Sequence, residues 1–214
     1  MSTAVQPNLL GRIWRETARP FRRQTWRKWT GAGQTPKAEP QLLDFPFTHG
    51  TVEPDGLALL SRLIKRSHEF PGPIVEIGTL FGRTATHMAL FTAPQQKIIT
   101  VDTYTWNPWG LSCETHYQLT SQILFYLVQT GRVEQLKMDK NHFYATYRGP
   151  APSLVFLDAI HTYAETKKDI EWAKSVGAAI ICGHDYSDRF PGVQQVVHEF
   201  GGPKEVGGTV FLLP

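Results

Sequence analysis

The sequence predicts an α/β domain: a doubly wound, seven-stranded, mostly parallel sheet that closes with an antiparallel C-terminal hairpin, a Rossmann-like arrangement. Three observations carry this reading. From Ile74 onward, short apolar runs alternate with segments of helical spacing, which is the pattern of parallel strands covered on both faces. The first run ends in a glycine-rich turn, Gly78-Thr79-Leu80-Phe81-Gly82. The chain closes on two short runs separated by Gly207-Gly208, and a diglycine supplies the positive φ angles of a tight hairpin.

The elements follow in order. Pro54 suits a first helical turn, and Leu57, Leu60, Leu63 and Ile64 keep helical spacing to about Phe70. Ile74–Ile77 is a strand of β-formers bounded by Pro71-Gly72-Pro73. Further strands are expected at Lys97–Val101, Val133–Met138, Leu154–Leu157 and Ala178–Cys182. Helices are expected between them, near Thr84–Phe91, Glu114–Gln129, Asn141–Tyr147 and Thr162–Val176. Thr162 and Glu165 form a capping box that dates the last of these. Val193–Phe200 reads as a helix, and Pro203–Val206 with Thr209–Leu213 as the hairpin.

Composition bounds the rest. A hydrophobic fraction of 41% suits a globular core, and no apolar run approaches a membrane span. The start of the chain lacks a signal-peptide pattern. Cys113 and Cys182 form no Cys-x-x-Cys pair, which points to a reducing, cytoplasmic setting. The net charge of +3 hides an asymmetry: residues 1–37 hold eight Lys/Arg and one acid, while the rest holds 14 bases and 18 acids. The expected organisation is therefore a basic, Trp-rich extension at 1–37 and one domain at 38–214. The alternating Trp and Arg of the extension would suit a membrane surface, nucleic acid or an acidic protein face. They would equally suit packing on the domain or on a second copy. The cost of leaving Trp14, Trp26 and Trp29 in water favours packing, so self-association is expected ahead of a membrane contact, and nucleic acid is not an expected partner.

In a doubly wound sheet, ligands bind beyond the carboxyl ends of the strands. There the sequence places Gly78 to Gly82, then Asp102, Asp139, Asp158 with His161, and His184-Asp185-Tyr186. Each has a plainer alternative. The glycines could serve close helix–strand packing, and a strand-end Asp often caps the next helix. The coincidence is harder to explain that way. Asp102 is placed to accept hydrogen bonds from two ribose hydroxyls, yet Gly78-x-x-x-Gly82 is not the dinucleotide fingerprint, which disfavours a nicotinamide cofactor. Asp158 and Asp185 end strands expected to be neighbours, about 4.8 Å apart, so they could share a hard cation. His184 is a third candidate ligand, although strand alternation would turn it to the face opposite Asp185. His161 suits a general base. Thr103 through Cys113, with Trp106 and Trp109, reads as a lid or as edge packing.

Together, Val75-Glu76-Ile77-Gly78-Thr79, Gly82-Arg83-Thr84, Val101-Asp102-Thr103, Leu157-Asp158, His161-x-Tyr163 and His184-Asp185-Tyr186 resemble class I S-adenosylmethionine-dependent methyltransferases. The resemblance is to the branch with macrocin-type sugar O-methyltransferases and, more distantly, catechol O-methyltransferase, and it covers roughly residues 50–214. It implies the Rossmann-like methyltransferase fold, with Glu76, Gly78, Thr79 and Gly82 shaping the methionine side of the cofactor pocket. It implies that Asp102 and Thr103 lie at the ribose and the Asp139 loop by the adenine, with Asp158 also bordering the cofactor. Asp158 and Asp185 would hold Mg2+, with His184 the third candidate ligand noted above, and His161 with Asp158 would be catalytic. One departure is that relatives with a clear metal site often carry two successive acids where this chain has His184-Asp185. The implied activity is methyl transfer to a hydroxyl of a sugar, polyketide or phenolic small molecule by a homo-oligomeric enzyme. The alternatives are a macromolecular or membrane-associated acceptor, or a non-catalytic binding module on the same fold.

Overall fold

The computed structural model describes residues 51–214, so the extension predicted for 1–37 lies outside the described residues. The seven strands are β1 (Ile74–Ile77), β2 (Ile98–Asp102), β3 (Val133–Lys137), β4 (Leu154–Leu157), β5 (Ile181–Gly183), β6 (Glu205–Gly207) and β7 (Val210–Leu212). Around them lie α1 (Pro54–Ser67), α2 (Arg83–Phe91), α3 (Cys113–Ile123), α4 (Phe125–Gln129), α5 (Lys140–Thr146), α6 (Tyr163–Ser175) and α7 (Pro191–Glu199).

The strands form one sheet in the order β3-β2-β1-β4-β5-β7-β6. β1 pairs in parallel with β2 and β4, and only β7 runs antiparallel between β5 and β6. The strand order reverses direction at β1 and β4, so the rim beyond Ile77 and Leu157 is the switch point where α/β sheets bind ligands. The central strands β1 and β4 are buried on both faces, with alternate residues turned to opposite sides. Ile74, Leu154 and Phe156 face a core shared with α1 and α2, including Leu60, Ile64 and Met88. Val75, Ile77, Val155 and Leu157 face the other core, with Ile170, Trp172, Val193 and Val197 of α6 and α7. No helix among the described residues is long and apolar enough to cross a membrane.

Three elements depart from expectation. The helix expected at 114–129 breaks into α3 and α4 at Leu124, where there is neither Pro nor Gly. The break lets the Leu124 side chain bury completely, in the space that a side chain at Gly82 would need. β5 starts at Ile181 rather than Ala178, because the Ala178 and Ala179 amides are spent on Ala173 and Pro152 carbonyls. In the hairpin, Gly207 pairs with Val210, so the turn is Gly208-Thr209 and only Gly208 takes a positive φ.

Candidate active site

The glycine turn is shaped from within. Gly78 has φ +99°, and a Cβ there would lie 2.0 Å from the Asp158 carbonyl oxygen; Gly82 has φ +74°, and its Cβ would meet Leu124. Both positions thus need glycine for packing, whatever the turn binds. The Gly78 contact also fixes the geography, because the turn after β1 rests directly on the start of the loop after β4.

Asp102 locks this turn. Its Oδ2 accepts from the Thr79 and Leu80 amides at 2.8 and 3.0 Å, and its Oδ1 accepts from the Tyr104 amide at 2.7 Å. A carboxylate has about four acceptor sites, so one is left for a ligand. Glu76 and Thr100 are register partners on β1 and β2, and the Thr100 hydroxyl donates to Glu76 Oε2 at 2.5 Å. Glu76 is fully buried, and its Oε1 has no partner among the described residues. Burial, with Asp158 and Asp102 nearby adding repulsion, pushes its carboxyl well above the usual range. A buried polar atom left without a partner costs free energy, and a ligand group in this turn would relieve it. These features fit a nucleoside cofactor with a polar head at the turn.

Two predicted cofactor residues have local duties. Asp139 is exposed and caps α5 by accepting from the Asn141 and His142 amides. The Thr103 hydroxyl pairs with that of Thr105 at 2.8 Å. In the loop after β2, Trp109 packs edge-on to Phe81 of the glycine turn at 5.1 Å, and Trp106 is 66% exposed.

The second half of the rim is a chain of carboxylates and imidazoles. His184 Nδ1 lies 3.1 Å from Asp158 Oδ1 and 3.6 Å from Asp185 Oδ2. Its Nε2 lies 3.2 Å from Glu53 Oε2, and its side chain is only 7% exposed. Asp185 Oδ2 in turn lies 3.0 Å from His161 Nε2, so His161 pairs with Asp185 rather than with its sequence neighbour Asp158. One ligand atom each from Asp158, His184 and Asp185 lie within 4.8 Å of one another. This corrects the expectation that His184 and Asp185 face opposite ways. β5 ends at Gly183, and Asp185 takes a left-handed φ of +60° that turns its carboxylate back to the same rim. A non-glycine residue held there is strained, and such strain concentrates at functional sites.

The charges are coupled. Burial works to lower the His184 pKa, but the Asp158, Asp185 and Glu53 carboxylates outweigh it and hold it at about 9. Burial raises Asp185 above the ordinary carboxylate range despite the attraction of His184 and His161. Glu53 ends below its usual value: burial works upward, and hydrogen bonds from backbone amides, His184 and Thr209 win. Sequence reasoning missed Glu53. It precedes Pro54 and reads as an ordinary helix entry, with no signal that it meets a residue 131 positions away.

Comparison with known proteins agrees with this architecture. Residues 75–186, just over half of the chain, match the family described as a methyltransferase domain. No curated protein matches the chain. An O-methyltransferase from Bacillus cereus, solved with S-adenosylhomocysteine, superposes with a TM-score of 0.57 at 18% identity, covering 78% of this chain and 84% of that one. TomG from Streptomyces achromogenes, an O-methyltransferase of tomaymycin synthesis solved with S-adenosylmethionine, gives 0.56 at 16%, covering 77% and 82%. CalS11, a TDP-rhamnose 3'-O-methyltransferase of calicheamicin biosynthesis, gives 0.54 at 18%, covering 73% and 77%. At such identities these structures share the fold. The matched family spans β1 through the loop after β5, the segment that carries the glycine turn, Asp102 and the acidic rim. On that ground the chain belongs to the methyltransferase domain family.

Proposed function

We propose that the protein methylates a hydroxyl of a small molecule, assisted by a divalent cation held by Asp158, His184 and Asp185. The observation that carries this reading is the convergence of those three ligand atoms within 4.8 Å, with the Asp158 backbone resting against the glycine turn. Under this reading Glu76, Gly78, Thr79 and Gly82 receive the methionine end of the cofactor. Asp102 and Thr103 border the ribose, and the Asp139 loop borders the adenine.

S-adenosylmethionine supplies an electrophilic methyl carbon, and the cation supplies positive charge against the developing alkoxide. The chain's own residues do the rest. His161 would donate an Nε2–H hydrogen bond to Asp185 Oδ2, which fixes the ring and leaves Nδ1 to accept the proton of the acceptor hydroxyl. His161 would keep that proton while the acceptor oxygen takes the methyl group that the sulfonium would supply. Phe81 and Trp109 hold the turn and its lid together, while the exposed Trp106 offers a flat face for a sugar or planar acceptor. The two carboxylates suit a hard cation such as Mg2+ or Mn2+, whereas the histidine ligand suits a first-row transition metal ahead of Mg2+.

Calorimetry with S-adenosylhomocysteine, with and without Mn2+ or Mg2+, tests the pocket and the cation. Turnover against a panel of sugar and phenolic acceptors tests the reaction. His161→Ala should lower kcat by about 10²- to 10⁴-fold, with cofactor affinity retained, and Asp158→Asn should abolish the response to cation. Turnover unchanged in both variants would overturn the assignment.

A further inference from the structure

We infer that Glu53 is a positioning residue that orients His184 to bind the cation through Nδ1. The inference rests on the cation reading above and adds a residue from outside the matched segment 75–186.

The geometry is specific. Glu53 closes the loop before α1, where Pro54 begins the helix. Its Oε2 faces His184 Nε2 at 3.2 Å and accepts from the Thr209 hydroxyl at 3.1 Å, and its Oε1 accepts from the Thr209 amide. Three separate segments therefore meet at one carboxylate: the entry to α1, the loop after β5 and the β6–β7 turn. With both oxygens so engaged, the carboxylate cannot swing without losing the hairpin contacts. His184 has no comparable freedom, being 7% exposed. An Nε2–H donated to Glu53 leaves Nδ1 as the coordinating nitrogen, and Nδ1 is the atom that faces Asp158 and Asp185 at 3.1 and 3.6 Å. A carboxylate holding the far nitrogen of a metal-binding histidine fixes its tautomer and ring plane and strengthens it as a donor. If the Nε2–H bond were lost, the ring could protonate at Nδ1 and present the wrong edge.

The competing account is structural, with Glu53 only pinning the hairpin turn to α1. The full-length protein separates the two through Mn2+ binding by calorimetry and pulsed EPR of the bound Mn2+, which detects a directly coordinated histidine nitrogen. Wild type should bind Mn2+ with that nitrogen coupling. Glu53→Gln should bind about 10- to 100-fold more weakly, with the coupling reduced. Glu53→Asp, which keeps the charge at shorter reach, should recover part of the affinity. Thr209→Val loosens the hairpin tie without touching His184 and should keep both signals. S-adenosylhomocysteine affinity, measured in each variant, should stay at the wild-type level. Wild-type Mn2+ binding and coupling in Glu53→Gln would overturn the inference, as would an equal loss in Thr209→Val or a loss of S-adenosylhomocysteine affinity in step with Mn2+. Mn2+ bound by wild type without nitrogen coupling would overturn this inference alone. No Mn2+ binding by wild type would remove the cation reading, and the inference with it.

Discussion

In the metal-free protein, His184 should make stability fall as pH rises. Its ring lies among Asp158, Asp185 and Glu53, with His161 beyond Asp185, and those carboxylates hold it protonated up to about pH 9. An unfolded histidine titrates near 6.5. The imidazolium therefore stabilises the fold fully below about pH 6.5, and that contribution drains away as pH climbs through the folded-state value. Moving a histidine from 6.5 to about 9 corresponds to about 3 kcal/mol at 1.36 kcal/mol per pH unit. This is a ceiling, since Asp185 is itself held above its usual range by burial and so gives back part of the pairing energy. Urea denaturation in a chelator, from about pH 6 to 9.5, reads it directly. The stability difference between wild type and His184→Gln should shrink by about 1 to 3 kcal/mol across that range. A difference that stays flat with pH would mean that His184 is neutral in the folded protein, and the charge assignment would fall.

Three further outcomes follow from the same geometry. Cation binding must displace the proton from His184 Nδ1, so Mn2+ affinity should rise about tenfold per pH unit up to near pH 9; calorimetry in buffers of different ionisation heat should detect one proton released. Gly78→Ala would set a Cβ 2.0 Å from the Asp158 carbonyl at a φ of +99°, costing about 3 kcal/mol or more in a urea titration, and should weaken Mn2+ binding through the displaced Asp158 loop. Lys140 pairs with Asp169 at 2.5 Å and Glu165 at 3.1 Å, with Lys140 and Asp169 nearly inaccessible. Lys140→Met strands the Asp169 carboxylate and should cost about 3 to 5 kcal/mol of stability; a loss below about 1 kcal/mol would show that Tyr144, which donates to the same oxygen at 2.9 Å, suffices.

The sheet was legible because β4 is an unbroken apolar run, β1 is interrupted only by Glu76, and Thr162 caps α6 through the Glu165 amide, as the local pattern requires. The neighbouring positions of Asp158 and Asp185 were legible for the same reason, as consequences of β4 pairing with β5. The break at Leu124 was not. Helix propensity runs smoothly through that stretch, and the chain turns only because a buried leucine is needed against Gly82. The reach of His184 and Asp185 to one rim was also hidden, since it depends on a left-handed φ at Asp185 that no sequence pattern announces. Asp102 and Asp139 show the limit of motif reading. Both end up bonded to backbone amides, and only their surroundings separate them: Asp102 closes the turn that receives a cofactor in the proposed reading, whereas Asp139 stands exposed at a helix start.

The charge of the rim has a consequence for what it can hold. Glu53, Asp158 and Asp185 place three carboxylates around one imidazole, and Asp102 and Glu76 stand close enough to add to the field on their side of the glycine turn. A single imidazolium leaves this group with surplus negative charge, and that repulsion adds to the burial that chiefly pushes Asp185 and Glu76 toward their neutral forms. A cleft of one sign concentrates ligands of the other. Both partners of the proposed reaction, a sulfonium nucleoside and a divalent cation, carry the favoured sign, and the sulfur loses its charge once the methyl group has left. The rim should therefore hold the methyl donor more tightly than the spent cofactor. That preference should weaken in Asp158→Asn, the substitution that removes the carboxylate that faces His184 and adds to the field at Glu76.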